Sequence, residues 1–194
     1  MHSALTSAFM NPTERLLDLL AARSARRGDF TLASGRRSTL YIDARLTTMS
    51  PDGLATIGPL ALAAINAKGW RADAVGGLTL GADPVSYSIA YASALAGSPI
   101  RAFTVRKEAK AHGTGKLIEG PYRAGDRVVV IEDVITTGGS ALRAVEAVRA
   151  AGGTILGVLA VVDREEGGRE AIEAAGFGVV ALARAAEIVA RMPV

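Results

Sequence analysis

The spacing of apolar residues changes period several times along this chain, and each change marks an element. Leu16, Leu17, Leu19 and Leu20 recur at helical spacing and Gly28 stops the run, which predicts a helix over Thr13–Arg27. Phe30 and Leu32, then Tyr41 and Ile42, stand on either side of a Ser34-Gly35 turn and predict a β-hairpin over Phe30–Arg45. Ser50-Pro51-Asp52 opens a second helix that runs to Ala67 and ends at Gly69. Strands and helices then alternate. Strands are expected at Ala74–Gly77, Ile100–Val105, Val128–Glu132, Thr154–Val162 and Gly178–Leu182, with helices at Pro84–Leu95, Ala141–Ala151 and Gly168–Ala175.

Such alternation predicts an α/β fold, a doubly wound parallel sheet with helices on both faces. The continuous apolar runs at 128–131 and 155–162 suit its central strands. The Gly-Gly pairs at 76–77, 138–139, 152–153 and 167–168 punctuate loops and mark no linker. The chain therefore reads as a single domain, 1–194, with an N-terminal helix and hairpin extension at 1–48 and an α/β core at 70–183.

Composition narrows the chemistry. Cysteine is absent, which removes disulfide scaffolds, thiolate metal sites and cysteine nucleophiles together. No apolar run approaches the roughly 18 residues that cross a bilayer, and the first residues carry no export signal, so a cytoplasmic protein without a membrane partner is expected. The net charge of +3 is too small to imply nucleic-acid binding. Aromatics at 5% are too sparse for base-stacking surfaces, so no nucleic-acid partner is expected.

The placement of the charges is more informative. Of four lysines, Lys107, Lys110 and Lys116 fall within ten positions, in a stretch that also holds Arg106, His112, Gly113 and Gly115. It lacks apolar periodicity and reads as a loop. One reading is a solvated surface loop. The other is an anion clamp, with flexible ammonium groups able to swing onto phosphates beside the planar fork of Arg106.

A second cluster ends the strand at 128–132. Glu132 and Asp133 are followed by Val134, Ile135, Thr136, Thr137, Gly138, Gly139 and Ser140, and then by a helix. Small residues let backbone N–H groups approach an anion, the three hydroxyls add donors, and a helix N-terminus contributes unpaired N–H groups and partial positive charge. The pattern is a cradle for a phosphate monoester beside two acids able to hold hydroxyls or hydrated Mg²⁺. It is neither a Walker A loop nor a dinucleotide fingerprint. The plainer alternative is a capped helix after a buried strand.

The run from Glu132 to Ser140 resembles the phosphoribosyl-diphosphate (PRPP) motif of type I phosphoribosyltransferases. The stretch Arg106-Lys-Glu-Ala-Lys-Ala-His-Gly113 is similar to the mobile catalytic loop of the orotate phosphoribosyltransferase family. Phe30-Thr-Leu-Ala-Ser-Gly35 with Tyr41-Ile-Asp-Ala-Arg45 resembles its N-terminal hairpin, and Val162-Asp163-Arg164-Glu165 its late strand end. The resemblance implies a type I phosphoribosyltransferase-like sheet with a small hairpin/helix hood. It implies Mg²⁺-dependent transfer of the phosphoribosyl group from PRPP to N1 of orotate, giving orotidine 5′-monophosphate and diphosphate in pyrimidine synthesis. On the same ground PRPP is bound by Arg106, Lys107, Lys110, His112 and the nine residues Glu132 to Ser140, with Lys110, His112 and Asp133 catalytic. Thr136 and Arg164 contact orotate, and the metal is held mainly by PRPP, with Glu132 and Asp133 as its possible protein ligands. A homodimer is implied, with the cationic loop shared between subunits.

For Arg164 the guanidinium itself suits a planar anion, whereas the alternative is an ion pair with Glu165 or Glu166. The sequence departs from many relatives at Ala33, where they carry lysine, and at Leu80-Gly81, where some carry Tyr-Lys; backbone N–H contacts are expected there. Transfer to another nucleobase, or a PRPP-sensing regulator that binds nucleic acid, are the alternative functions.

Overall fold

A computed structural model describes residues 11–31, 37–108 and 117–193. Its helices and strands follow in the order α1 (Pro12–Leu19), β1 (Ala25–Thr31), β2 (Arg37–Ile42), α2 (Arg45–Thr48), α3 (Pro51–Ala67), β3 (Ala74–Leu78), α4 (Ala82–Leu95), β4 (Arg101–Val105), β5 (Ile118–Glu119), β6 (Arg127–Ile135), α5 (Gly139–Ala150), β7 (Thr154–Asp163), α6 (Gly168–Ala174), β8 (Val179–Arg184) and α7 (Ala185–Val189).

The expected first helix is shorter than its leucine pattern suggests. Asn11 caps it, its side-chain oxygen accepting from the Thr13 N–H at 3.0 Å, and Pro12 occupies the first turn. After Leu19 the chain passes through a wide turn, Leu20–Ser24, and enters β1 at Ala25. Residues 25–27, read as helix, are therefore strand. Ala25 pairs with Ile42, Arg26 with Tyr41 and Arg27 with Leu40 in an antiparallel ribbon. Cross-strand pairing and the buried Ser24–Thr47 hydroxyl contact at 2.8 Å override helix propensity there. The hairpin is thus longer at its base than expected, and Arg45 belongs to α2. Its Ser34-Gly35 turn and Ala33 lie outside the described residues.

Six strands form the main sheet in the order β5-β4-β3-β6-β7-β8, all parallel except the short antiparallel edge strand β5. The period of two along the central strands divides the core. Val75, Val129, Ile131, Leu159 and Val161 face α1, α3 and α4, where Leu16, Ile57, Ile65, Val85 and Ile89 meet them. Val128, Val130, Val158 and Ala160 face the other way, against Ala144, Val148, Ile172 and Phe103. Helices thus cover both faces, as the alternation predicts.

Strand β6 runs three residues past its expected end, because Val134 pairs with Val162 and Ile135 with Asp163 on β7. The charged pair Glu132-Asp133 interrupts the apolar run but not the ladder. The short elements α2, β5 and α7 carry too few residues to show a period, and the sequence does not announce them.

Candidate active site

The carboxyl ends of β3, β4, β6 and β7 lie side by side, which is where open parallel sheets hold ligands. Strand β6 delivers the acidic pair to this edge. Glu132 is 6% exposed, and its Oε2 has no hydrogen-bond partner among the described residues. Burial, reinforced by the neighbouring Asp133, pushes its carboxyl well above the ordinary carboxylate range. Asp133 Oδ1 accepts from the Val134 N–H at 2.9 Å. Its carboxylate fits against Gly81 of the β3–α4 turn, where a Cβ would lie 2.5 Å from Cγ. That turn includes a cis Thr79–Leu80 peptide. Absence of a side chain at 81 lets the turn close on the strand tip, a requirement the sequence alone does not reveal.

After Ile135 the chain turns through the exposed Thr136 and Thr137 into α5. The side chains of Val134 and Ile135 pack into the two apolar clusters, so only their backbone faces the edge. Gly138 takes a φ of +81°, a conformation open to glycine, and caps α5 without any side-chain acceptor for the first N–H groups. A Cβ at Gly168, the first residue of α6, would lie 2.4 Å from the Thr136 carbonyl oxygen and 2.8 Å from the Gly138 nitrogen. Gly168 therefore supports the turn from beneath, and sequence reasoning missed it.

Gly139 differs. A Cβ there would meet nothing nearer than Thr137 Oγ1 at 3.9 Å. Packing does not require glycine at 139, and the space beside it is open. An uncapped helix start, flanked by Thr136, Thr137 and Ser140 hydroxyls and approachable at its backbone, suits a phosphate monoester. Ser140 Oγ is 3.5 Å from an Arg143 donor.

The cationic stretch begins where β4 ends. Arg106 forms an exposed ion pair with Glu119 at 3.5 Å, and its N–H donates to the Leu117 carbonyl at 2.8 Å. Exposed pairs of this kind contribute about 0–1 kcal/mol, so Arg106 can exchange Glu119 for a phosphate at little cost. With Lys107, Thr79, Asp83 and Thr104 it lines a cleft of about 620 Å³. Lys110, His112 and Lys116 lie outside the described residues.

Arg164 follows β7 directly and is buried. Its Nη2 donates to Glu166 Oε1 at 2.7 Å and to the Leu40 carbonyl at 3.1 Å, while its backbone N–H donates to the Ile135 carbonyl. The ion pair with Glu166 is thus formed, and the same guanidinium ties the hairpin to the sheet. Nε, also buried, has no partner among the described residues and is left as a donor.

The donor set also bears on Mg²⁺. Among the described residues no group of three or more metal-binding side chains comes together. The adjacent Glu132 and Asp133, one with an unpartnered oxygen, fit a hard cation that takes most of its oxygens from a diphosphate and water. Among the described residues no helix is long and apolar enough to cross a membrane.

Comparison with known proteins extends these observations. A phosphoribosyl transferase domain model matches residues 51–180. An orotate phosphoribosyltransferase of Aquifex aeolicus is 47% identical over 178 residues, covering 90% of this chain and 96% of the relative. Orotate phosphoribosyltransferase of Mycobacterium tuberculosis H37Rv, crystallised with Fe(III) dicitrate, superposes with a TM-score of 0.82 at 45% identity, covering 92% and 99% of the two chains. The same enzyme crystallised with PRPP gives 0.79 at 42% identity, covering 92% and 99%. An acidic strand tip, a glycine turn and a basic cleft along one sheet edge, in a chain this similar to these proteins over nearly its whole length, establish that it belongs to the orotate phosphoribosyltransferase family.

Proposed function

We propose that this sheet edge transfers the phosphoribosyl group of PRPP to N1 of orotate, releasing diphosphate and forming orotidine 5′-monophosphate. The observation that carries the reading is the pairing of a buried, unpartnered Glu132 oxygen with an open, uncapped helix start a few residues later. Thr136 to Ser140 hold the 5′-phosphate through backbone N–H groups and hydroxyls. The ribose hydroxyls donate to Glu132 and Asp133, giving the Glu132 oxygen the partner it lacks. Arg106, Lys107, Lys110 and His112 take the diphosphate, and Thr136 with Arg164 holds orotate, whose carboxylate and carbonyls suit the spare guanidinium donor.

The bond between ribose C1 and the diphosphate oxygen breaks as the bond from C1 to orotate N1 forms. Positive charge grows on the sugar and negative charge on the leaving group. The chain needs no covalent nucleophile for this. Its residues orient the two reactants and place donors where the departing anion gains charge. Bound Mg²⁺ would supply charge neutralisation across the diphosphate and ribose oxygens. Lys110 and His112 donate to the leaving oxygens, and the glycines near them suit a segment that closes to exclude water.

Helix α4 supports a homodimer. Tyr87, Tyr91 and Leu95, spaced by four residues, are 54%, 70% and 73% exposed and form one apolar stripe. A second copy of the chain would cover it, and the cationic loop would reach the neighbour's site. A cytoplasmic enzyme with small-molecule substrates and no nucleic-acid or membrane partner is the setting this reading implies.

The test is turnover with PRPP, Mg²⁺ and orotate, set against uracil, adenine and hypoxanthine as acceptors. Orotidine 5′-monophosphate formation with orotate alone is expected. Preferential use of another base would replace the acceptor, and absence of any turnover would remove the enzyme reading.

A further inference from the structure

An acid beside an anion-binding cleft needs a reason to be there. Asp83, on the first turn of α4, lines the cleft that holds Arg106 and Lys107, and it is 9% exposed. It forms no ion pair with either cation; both of its oxygens are occupied by hydroxyls. Thr79 Oγ1 donates to Oδ2 at 2.7 Å, and Thr104 Oγ1 donates to Oδ1 at 2.8 Å. Because the Thr104 proton is committed to Asp83, the Tyr87 hydroxyl 3.0 Å away is the donor to Thr104 Oγ1.

The two threonines belong to different walls of the cleft. Thr79 sits in the β3–α4 turn, two residues before Gly81, against which the Asp133 carboxylate packs. Thr104 sits on β4, two residues before Arg106. The backbone already links the walls once, the Thr79 N–H donating to the Val105 carbonyl at 2.8 Å. Asp83 adds a second brace from the helix side, through side chains alone. A carboxylate used this way fixes the distance between the turn and the base of the cationic segment.

We infer that Asp83 is a positioning residue for the diphosphate arm of the substrate, acting through Thr79 and Thr104 without touching the anion. The inference rests on the placement of diphosphate in this cleft. It explains why an acid is kept at this edge: its charge is spent on two hydroxyls that set the cleft's width.

Removing the brace should loosen the diphosphate arm and spare the rest of the substrate. Binding of inorganic pyrophosphate with Mg²⁺, and separately of ribose 5-phosphate, is measured by calorimetry for the full chain, alongside KM for PRPP and for orotate. Asp83→Ala is expected to weaken pyrophosphate and to raise KM for PRPP about tenfold, the scale of a modest misplacement of binding groups. Ribose 5-phosphate affinity and KM for orotate should be unchanged. Asp83→Asn, which keeps one acceptor and can donate to the second threonine oxygen, should recover most of the loss. Thr104→Val removes one arm of the brace with little change in volume and should shift the same quantities in the same direction, which keeps the test alive if Asp83→Ala fails to fold.

A merely structural role predicts that pyrophosphate and ribose 5-phosphate affinities fall together, and that result overturns the inference. So does unchanged pyrophosphate affinity in Asp83→Ala or, where that variant does not fold, in Thr104→Val. Arg106→Ala separates the two levels. If it weakens pyrophosphate and the brace variants do not, Asp83 alone is misassigned; if it has no effect, the diphosphate is bound elsewhere and both readings fall.

Discussion

Replacing Glu132 by glutamine should make the substrate-free protein more stable and its substrate grip weaker, and the gain in stability should depend on pH. Burial and the adjacent Asp133 raise the Glu132 carboxyl in the folded protein, while the unfolded chain releases this proton near an ordinary carboxylate value of about 4.3. Between those values the folded state holds a proton that the unfolded state has lost. Stability therefore falls as pH rises through that interval and stays lower above it. Glutamine carries no charge at any pH and removes this decline. An unpaired buried polar atom costs about 1–3 kcal/mol, and the amide keeps part of that burden, which leaves a gain of about 1 kcal/mol at pH 8. For a chain of this length that is about 2–4 °C in Tm. Thermal unfolding followed by circular dichroism at pH steps from 5 to 8, without substrate or metal, reads it directly. PRPP affinity should move the other way, by about 10–100-fold, since hydrogen bonds to a charged group contribute about 1.5–3 kcal/mol. A stability difference that is the same at every pH would refute the claim that a buried charge at 132 is held in reserve for the ligand.

The two glycine positions that face the cradle from opposite sides should part company. Gly139→Ala should keep or raise stability, by up to about 1 kcal/mol for alanine over glycine in a helix, while KM for PRPP climbs because the methyl fills the open space. Gly168→Ala should instead lower Tm, since its methyl drives into the Thr136 carbonyl, with overpacking typically costing about 1–3 kcal/mol; calorimetric melts and PRPP saturation curves on both variants check the contrast. Lys110→Ala should cut turnover about 10²–10³-fold, the cost of losing one transition-state donor, with no change in Tm. Tyr91→Glu puts a charge in the middle of the α4 stripe and should shift the sedimentation profile from dimer to monomer; an unaltered profile would move the interface elsewhere.

The parallel sheet was legible in the sequence because buried strands read as unbroken apolar runs and the helices between them end in glycine. Val128 to Ile131 and the run through Val162 are of that kind, and both are central strands. The phosphate turn was legible for a different reason: two acids followed by Thr-Thr-Gly-Gly-Ser have few structural uses. What the sequence hid is set by contacts between segments far apart in the chain. Ala25 to Arg27 continue a helical pattern, yet pairing with Leu40 to Ile42 makes them strand. Glu132-Asp133 looks like a strand end, yet pairing with β7 carries the ladder on to Ile135. Gly81 and Gly168 look like ordinary loop glycines until Asp133 and Thr136 are seen against them.

Arg164 shows why local patterns alone could not assign the site. As a sequence feature it admits two readings, an anion ligand or an ion pair with a neighbouring glutamate. The fold makes the two compatible, because a guanidinium has five N–H donors and the pair with Glu166 and the Leu40 carbonyl use only Nη2. The buried Nε that remains is costly to leave unmade, as is the Glu132 oxygen across the same sheet edge. Each is a polar group withdrawn from water and given no internal partner. One is a donor and the other an acceptor, matching a ligand whose acceptor is a planar carboxylated ring and whose donors are sugar hydroxyls. The folded chain thus stores part of its recognition as unmet hydrogen-bonding demand, and the positions of that demand are created by strand register, which no short motif can express.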